Sequence, residues 1–113
     1  MTAIEILKLR LDVPADGDAP TDALLEQLLV AAGEIVVDHR YPFGGYEMDE
    51  ETGRRVVPEQ YKGLMIDIAI ELYSKLGAEG QLAHRENGID RYYATALVSP
   101  DMLKRIVPLA KIV

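Results

Sequence analysis

"EQYKGLMIDIAIELYSKL", residues 59–76, decides the fold class. Tyr61, Leu64, Met65, Ile68 and Leu72 recur at the i, i+3, i+4, i+7 spacing of one helix face, and Ile66, Ile70 and Tyr73 form a second apolar stripe. Asp67, Glu71, Ser74 and Lys75 leave only a narrow polar strip, with Glu71 and Lys75 placed for an i,i+4 ion pair. A helix that is apolar nearly all round is buried on most sides. In a chain of 113 residues little other protein is at hand to bury both stripes. Either a subunit neighbour covers Ile66, Ile70 and Tyr73, or a monomeric core wraps the helix completely.

The segment after this helix is different in character. Gly77 reads as a C-cap glycine. Further on, Asn87-Gly88 is the favoured pair for a two-residue hairpin turn, where both positions need positive φ. A type I′ turn there sets Arg85 opposite Asp90 and Leu82 opposite Tyr93, a two-stranded hairpin over about 78–95. Such a hairpin is marginal in water by itself and needs a surface to lie against. Ser99-Pro100-Asp101 then spells a helix start, with cap, first-turn proline and first-turn acid. The short helix runs from Met102 to Val107, Pro108 ends it, and the apolar tail "LAKIV" is expected to dock on its own domain or on another chain.

Upstream, Thr2 and Glu5 form a capping-box pattern that opens a first helix through Ile4, Leu7, Leu9 and Leu11. Leu7, Leu9, Leu11 and Val13 also alternate, which leaves a strand open as the second choice. "VPADGDAPTD" breaks this element, and Thr21 or Asp22 caps a second helix to about His39, with Leu24, Leu25, Leu28, Leu29, Ala32, Ile35 and Val36 on one side. "YPFGGYEMDEETGRRVVP", residues 41–58, is a long loop for so small a chain, which marks it as functional or mobile; Val56-Val57 has the character of a brief strand. The expected architecture is mainly α. It is a small bundle of three main helices and a short C-terminal helix with a protruding β-hairpin, in one domain over 1–113.

Composition narrows the function. Apolar residues make up 49% of the chain, enough for a packed core, and there is no cysteine to form disulfides or thiolate sites. The N-terminus has no signal-peptide core, and no stretch approaches the roughly 20 apolar residues of a membrane helix. Both readings lead to the expectation of a soluble, untargeted domain. The net charge is −7, with 15 acids against 7 bases over residues 1–78 and 4 against 5 over 79–113. Duplex-binding proteins concentrate bases to neutralise phosphates, and no such patch dominates here.

Catalytic patterns are missing. Asp12, Asp16, Asp18 and Asp22 crowd the first loop without the EF-hand spacing, so they read as a solvated, helix-capping acidic turn. His39 and His84 stand in no metalloprotease or triad pattern, although His84 lies close in sequence to Glu86, Asp90 and Ser99. "EMDEE" reads as a solvated run of charge, and Gly44-Gly45 alone makes no phosphate loop. The chain therefore reads as a non-enzyme with no metal and no cofactor. In "HRENGIDRYY", Arg85, Arg91, Tyr92 and Tyr93 have the composition of a base-stacking surface and equally of a protein interface; the acidic body favours protein.

The stretches "IELYSKLGAEGQLAHRENGIDRYY" and "VSPDMLKRIVPLAKIV" resemble the C-terminal half of the tailed-bacteriophage head–tail connector (head completion, or adaptor) proteins. The start resembles them too: "LKLRLDV", an acidic turn, then "TDALLEQLLVAAGEIVVDHR". The similarity is most specific over 70–107, where Leu-Gly-Ala-Glu-Gly, Glu-Asn-Gly-Ile and Arg-Ile-Val-Pro occur in order. The resemblance implies a virion structural protein, made in the host cytoplasm, that forms a dodecameric ring below the portal protein. That ring extends the DNA channel and receives a head-closure (stopper) or tail-completion protein. DNA passes through without specific binding, no membrane is involved, and no enzyme activity or cofactor is implied. It carries Gly80, Gln81, His84, Arg85, Asn87, Gly88, Ile89, Arg91, Tyr92 and Tyr93 of the hairpin, with Ile112 and Val113 of the tail, as portal or intersubunit contacts. Ile66, Ile70 and Tyr73 become the oligomer-facing helix residues, and the 41–57 loop a contact for the next protein or the channel wall. The alternative from another class is a small helical adaptor or regulatory protein that binds a single protein partner. A nucleic-acid-processing enzyme built on His84 is the third reading.

Overall fold

A computed structural model describes residues 2–11, 22–78 and 91–109. Five α-helices occur among them: α1 (Ala3–Leu11), α2 (Asp22–Arg40), α3 (Lys62–Ala78), α4 (Arg91–Leu97) and α5 (Pro100–Leu103). A single 3-10 turn, Glu59–Tyr61, leads into α3. The Thr2 cap is in place, with the Glu5 N–H donating to Thr2 Oγ1 at 3.3 Å, and the first element is a helix rather than a strand.

Helix α3 is central and packs against α1, α2 and α4. Leu7 of α1, Leu25, Leu28, Ile35 and Val36 of α2, and Ile68 and Leu72 of α3 are fully buried in one cluster. The α2–α3 pair is the spine of that cluster. Gly33 lets the two helices and the returning loop come close, because a Cβ there would meet Val57 Cγ2 at 3.1 Å and Met65 Sδ at 3.4 Å. The mainly helical architecture is thus observed, with two differences from the sequence reading.

The first difference is the expected hairpin over 78–95. Residues 79–90, with Leu82, Arg85, Asn87, Gly88 and Asp90, lie outside the described residues, but Arg91–Leu97 is helical, so Tyr93 stands in no strand. The Arg-Tyr-Tyr start favours extended structure by propensity, and tertiary packing overrides it. Ala94 of α4 and Val98 just past its end both enter the core, and the small Ala94 lets α4 close on α2 and α3. The second difference is at Gly77, which does not cap α3: the helix runs on through Ala78.

Residues 99–106 keep the expected start and shorten the helix. Ser99 is the N-cap of α5, Pro100 opens it and Asp101 is in the first turn. After Leu103 the chain tightens into turns, with the Arg105 N–H donating to Met102 O and the Ile106 N–H to Leu103 O, both at 3.1 Å. These turns deliver Ile106 into the core. Glu71 locks the junction, since its carboxylate accepts the Ser99 N–H and hydroxyl. Lys75 salt-bridges Glu71 at 3.0 Å, the expected i,i+4 pair, and also donates to Leu97 O.

Candidate interaction surface

The 41–57 loop is built, residue by residue, as an ordered projection. Tyr41 continues α2 by one hydrogen bond to Val37 O, and the Gly44 N–H donates back to Tyr41 O at 3.1 Å. Gly44 and Gly45 hold φ of 85° and 94°, the region that admits glycine at no steric cost. The chain then folds on itself. Met48 and Arg55 form an isolated antiparallel bridge, flanked by Asp49 N–H to Arg54 O and Val56 N–H to Glu47 O, each 2.8 Å. Asp49 organises the turn between them, its Oδ1 accepting the N–H of Glu51 at 2.9 Å and of Thr52 at 3.4 Å. Gly53, at φ 69°, closes it with a 2.8 Å bond to Asp49 O. The brief strand expected at Val56-Val57 is not formed: an isolated bridge at Arg55 and the single Val56 hydrogen bond to Glu47 stand in its place.

Arg55 ties this projection to α2. Its Nε donates to Glu34 Oε2 at 3.1 Å, its Nη2 to the same oxygen and to Asp38 Oδ1 at 2.8 Å, and its guanidinium lies over Tyr46, 5.1 Å from the ring centroid. Burial works to lower the Arg55 pKa, but hydrogen bonds with and attraction to Glu34 and Asp38 outweigh it, so the value is raised. A raised folded-state pKa gives stability that is full at neutral pH and lost only as pH climbs through that value, so this tether is constant over the working range.

The segment after α5 is tied to the same end of α2. Val107 donates its N–H to Tyr61 Oη at 3.1 Å and accepts from Arg40 Nη1 at 2.8 Å, and the Leu109 N–H donates to Arg40 O at 2.7 Å. Pro108 between them has no N–H to place, and it favours an extended Val107. Arg40 also lies over the Tyr41 and Tyr61 rings. The main chain is held while the side chains of Val107 and Leu109 face outward.

Among the described residues the exposed large apolar side chains are Leu9, Phe43, Tyr46, Met48, Val107 and Leu109. Five of these six stand on the two segments tethered to the last turns of α2. Phe43 is 68% exposed and Met48 53%. Glu47, Asp49, Glu50 and Glu51 are exposed beside them. An apolar group ringed by charge and held on an ordered backbone is the form of a docking surface, since the ordering entropy is already spent.

The residues singled out in the sequence are distributed differently. Gly80, Gln81, His84, Arg85, Asn87, Gly88, Ile89, Ile112 and Val113 lie outside the described residues. The backbone of Arg91, Tyr92 and Tyr93 forms the first turn of α4. Ile66 is buried to 5% exposure inside one chain, while Ile70 and Tyr73 are half-buried against the same core. The burial of Ile66 therefore needs no subunit neighbour. His39 is engaged by its own helix, with Nδ1–H donating to Ile35 O at 2.9 Å. Among the described residues no three His, Asp or Glu side chains come together as a metal site, and no helix is long and apolar enough to cross a membrane. The loop aromatics were visible in the sequence; what it hid was the Arg55 tether that orders them.

No protein-family model matches the chain, and neither a curated protein nor a solved structure matches it.

Proposed function

We propose that the protein is a virion structural component, a head–tail connector that assembles as a ring beneath a phage portal and receives the head-closure or tail-completion protein. The observation that carries this reading is the collection of Phe43, Tyr46, Met48, Val107 and Leu109 on two segments pinned to one end of the bundle. A connector needs such an end for its joints, whether with a neighbouring copy or with the next assembly: apolar anchors give adhesion and the surrounding charge gives register. The sequence resemblance over 70–107 supplies the family. In this reading DNA crosses the ring without specific contacts, consistent with a net charge of −7, and the protein acts as no enzyme.

A second reading is favoured by one observation. Because Ile66 is buried within a single chain, the protein is also suited to act alone, as a small helical adaptor for one partner. Native mass spectrometry separates the two, applied to the protein alone and mixed with the portal protein of the same genome. A closed ring, alone or with portal, is the expected result. A monomer that ignores the portal at every concentration overturns the connector reading in favour of the adaptor.

A further inference from the structure

Two surfaces of the chain complement each other. One is the 41–57 loop, which exposes Phe43 and Met48 among Glu47, Asp49, Glu50 and Glu51. Its second arginine, Arg55, is turned inward to Glu34 and Asp38, so Arg54 alone offsets those four acids at the surface. The other is a groove of about 430 Å³ between α1, α3 and α5, with Ile70 and Met102 in its wall and Arg10, Lys75 and Arg105 around it. Asp67 is shared by Arg10 and by Arg105 at 3.9 Å, and Glu71 is occupied by Lys75 and Ser99. Among the described residues that line the groove, three cations thus meet two carboxylates, and a positive charge is left over.

Helix geometry says which copy's loop the groove can receive. The loop returns beside Met65, which lies with Val57 against Gly33 of α2. At about 100° per residue, Asp67, Ile70, Glu71 and Ser74 point away from the Met65 side of α3. The loop's return beside Met65 and the groove therefore lie on opposite sides of α3, an arrangement that favours a match between chains.

We propose that the loop of one copy seats in the groove of a second copy, Phe43 and Met48 against Ile70 and Met102, with the loop acids opposite Arg10, Lys75 and Arg105. Such a contact is head-to-tail. Each copy keeps a free loop at one side and a free groove at the other, so association continues until a ring closes or a filament grows. The inference deepens the connector reading, on whose ring it rests, by naming the contact between copies, and it is tested without portal.

Sedimentation velocity of the full chain, from micromolar to millimolar and at low and high salt, tests it. Self-association that weakens with added salt is expected, since the charged rims are exposed. A loop variant (Phe43→Ser with Met48→Ser) and a groove variant (Arg105→Glu) should each associate at least tenfold more weakly while keeping the wild-type circular dichroism spectrum. Mixed one to one, they should form two-copy complexes that grow no further, because the intact loop of one still fits the intact groove of the other. A wild-type protein monomeric into the millimolar range overturns the proposal. So does a variant that associates as the wild type does, or a mixture that stays monomeric. Failure to bind portal leaves this series unchanged, so the two ideas fail separately.

Discussion

Helix α3 and the loop that precedes it are neighbours in the chain, both carry large apolar side chains, and they place them in opposite ways. In α3, Leu64, Ile66, Ile68 and Leu72 are buried. In the loop, Phe43, Tyr46 and Met48 are exposed on a backbone fixed by turn hydrogen bonds and by Arg55. The helix satisfies its own main chain, so its side chains are free to make the core. The loop has no ladder beyond one bridge, so polar side chains must satisfy its main chain and the apolar ones are left for a partner. One region holds the fold and the other is available for recognition.

The largest effect that would sharpen this contrast is in the core. Ile68→Ala removes a fully buried side chain from the centre of α3, and such truncations cost about 2–5 kcal/mol, cavity included. Chemical denaturation should show that loss as a lower midpoint with an unchanged slope. A loss under about 1 kcal/mol would mean that the site collapses around the missing atoms and that α3 is not the spine.

Arg55→Ala should come next, at about 1–2 kcal/mol, the lower part of the range for a charged hydrogen-bond partner, because Glu34 and Asp38 are only partly buried. Its signature is local. Amide exchange should accelerate from Glu47 to Val56 while α2 and α3 remain protected. Gly53→Ala, at a φ of 69°, should cost about 1 kcal/mol by forcing a Cβ into the left-handed region, and should loosen the same amides. If either variant unprotects α3 as well, loop and core are one cooperative unit and the contrast between them fails.

How much of this was legible in the sequence follows the same division. The three long helices, the Thr2 cap, the Ser99-Pro100-Asp101 start and the Glu71–Lys75 pair all depend on neighbours within a few positions, where periodicity and capping rules operate. Residues 91–95 were read as part of a hairpin because Asn87-Gly88 is a favoured hairpin-turn pair, while the deciding contacts, Ala94 and Val98 in the core, are long-range. The surface at the end of α2 was half legible. The aromatics of the 41–57 loop stood out, but nothing local indicates that Arg55 reaches back to Glu34 and Asp38, or that Val107 and Leu109 bond to Tyr61 and Arg40. For Ile66 the pattern left two covers open, and the packing of one chain is enough to bury it.

The smallest effect on stability carries the most about function. Phe43 is 68% exposed and holds nothing in place, so Phe43→Ala should leave the melting temperature where it is, within about 0.5 kcal/mol. Association is where it should count. An exposed aromatic on a fixed backbone offers its side-chain surface to a partner, and losing such an anchor costs about 1.4 kcal/mol of binding or more, which is roughly tenfold or more in Kd. Tyr46→Ala is the control from the same loop. Its ring is under the Arg55 guanidinium at 5.1 Å, so its loss should cost about 0.5–1 kcal/mol of stability as well. If Phe43→Ala instead lowers stability and leaves association intact, the loop belongs to the fold, and the division of work between it and α3 is wrong.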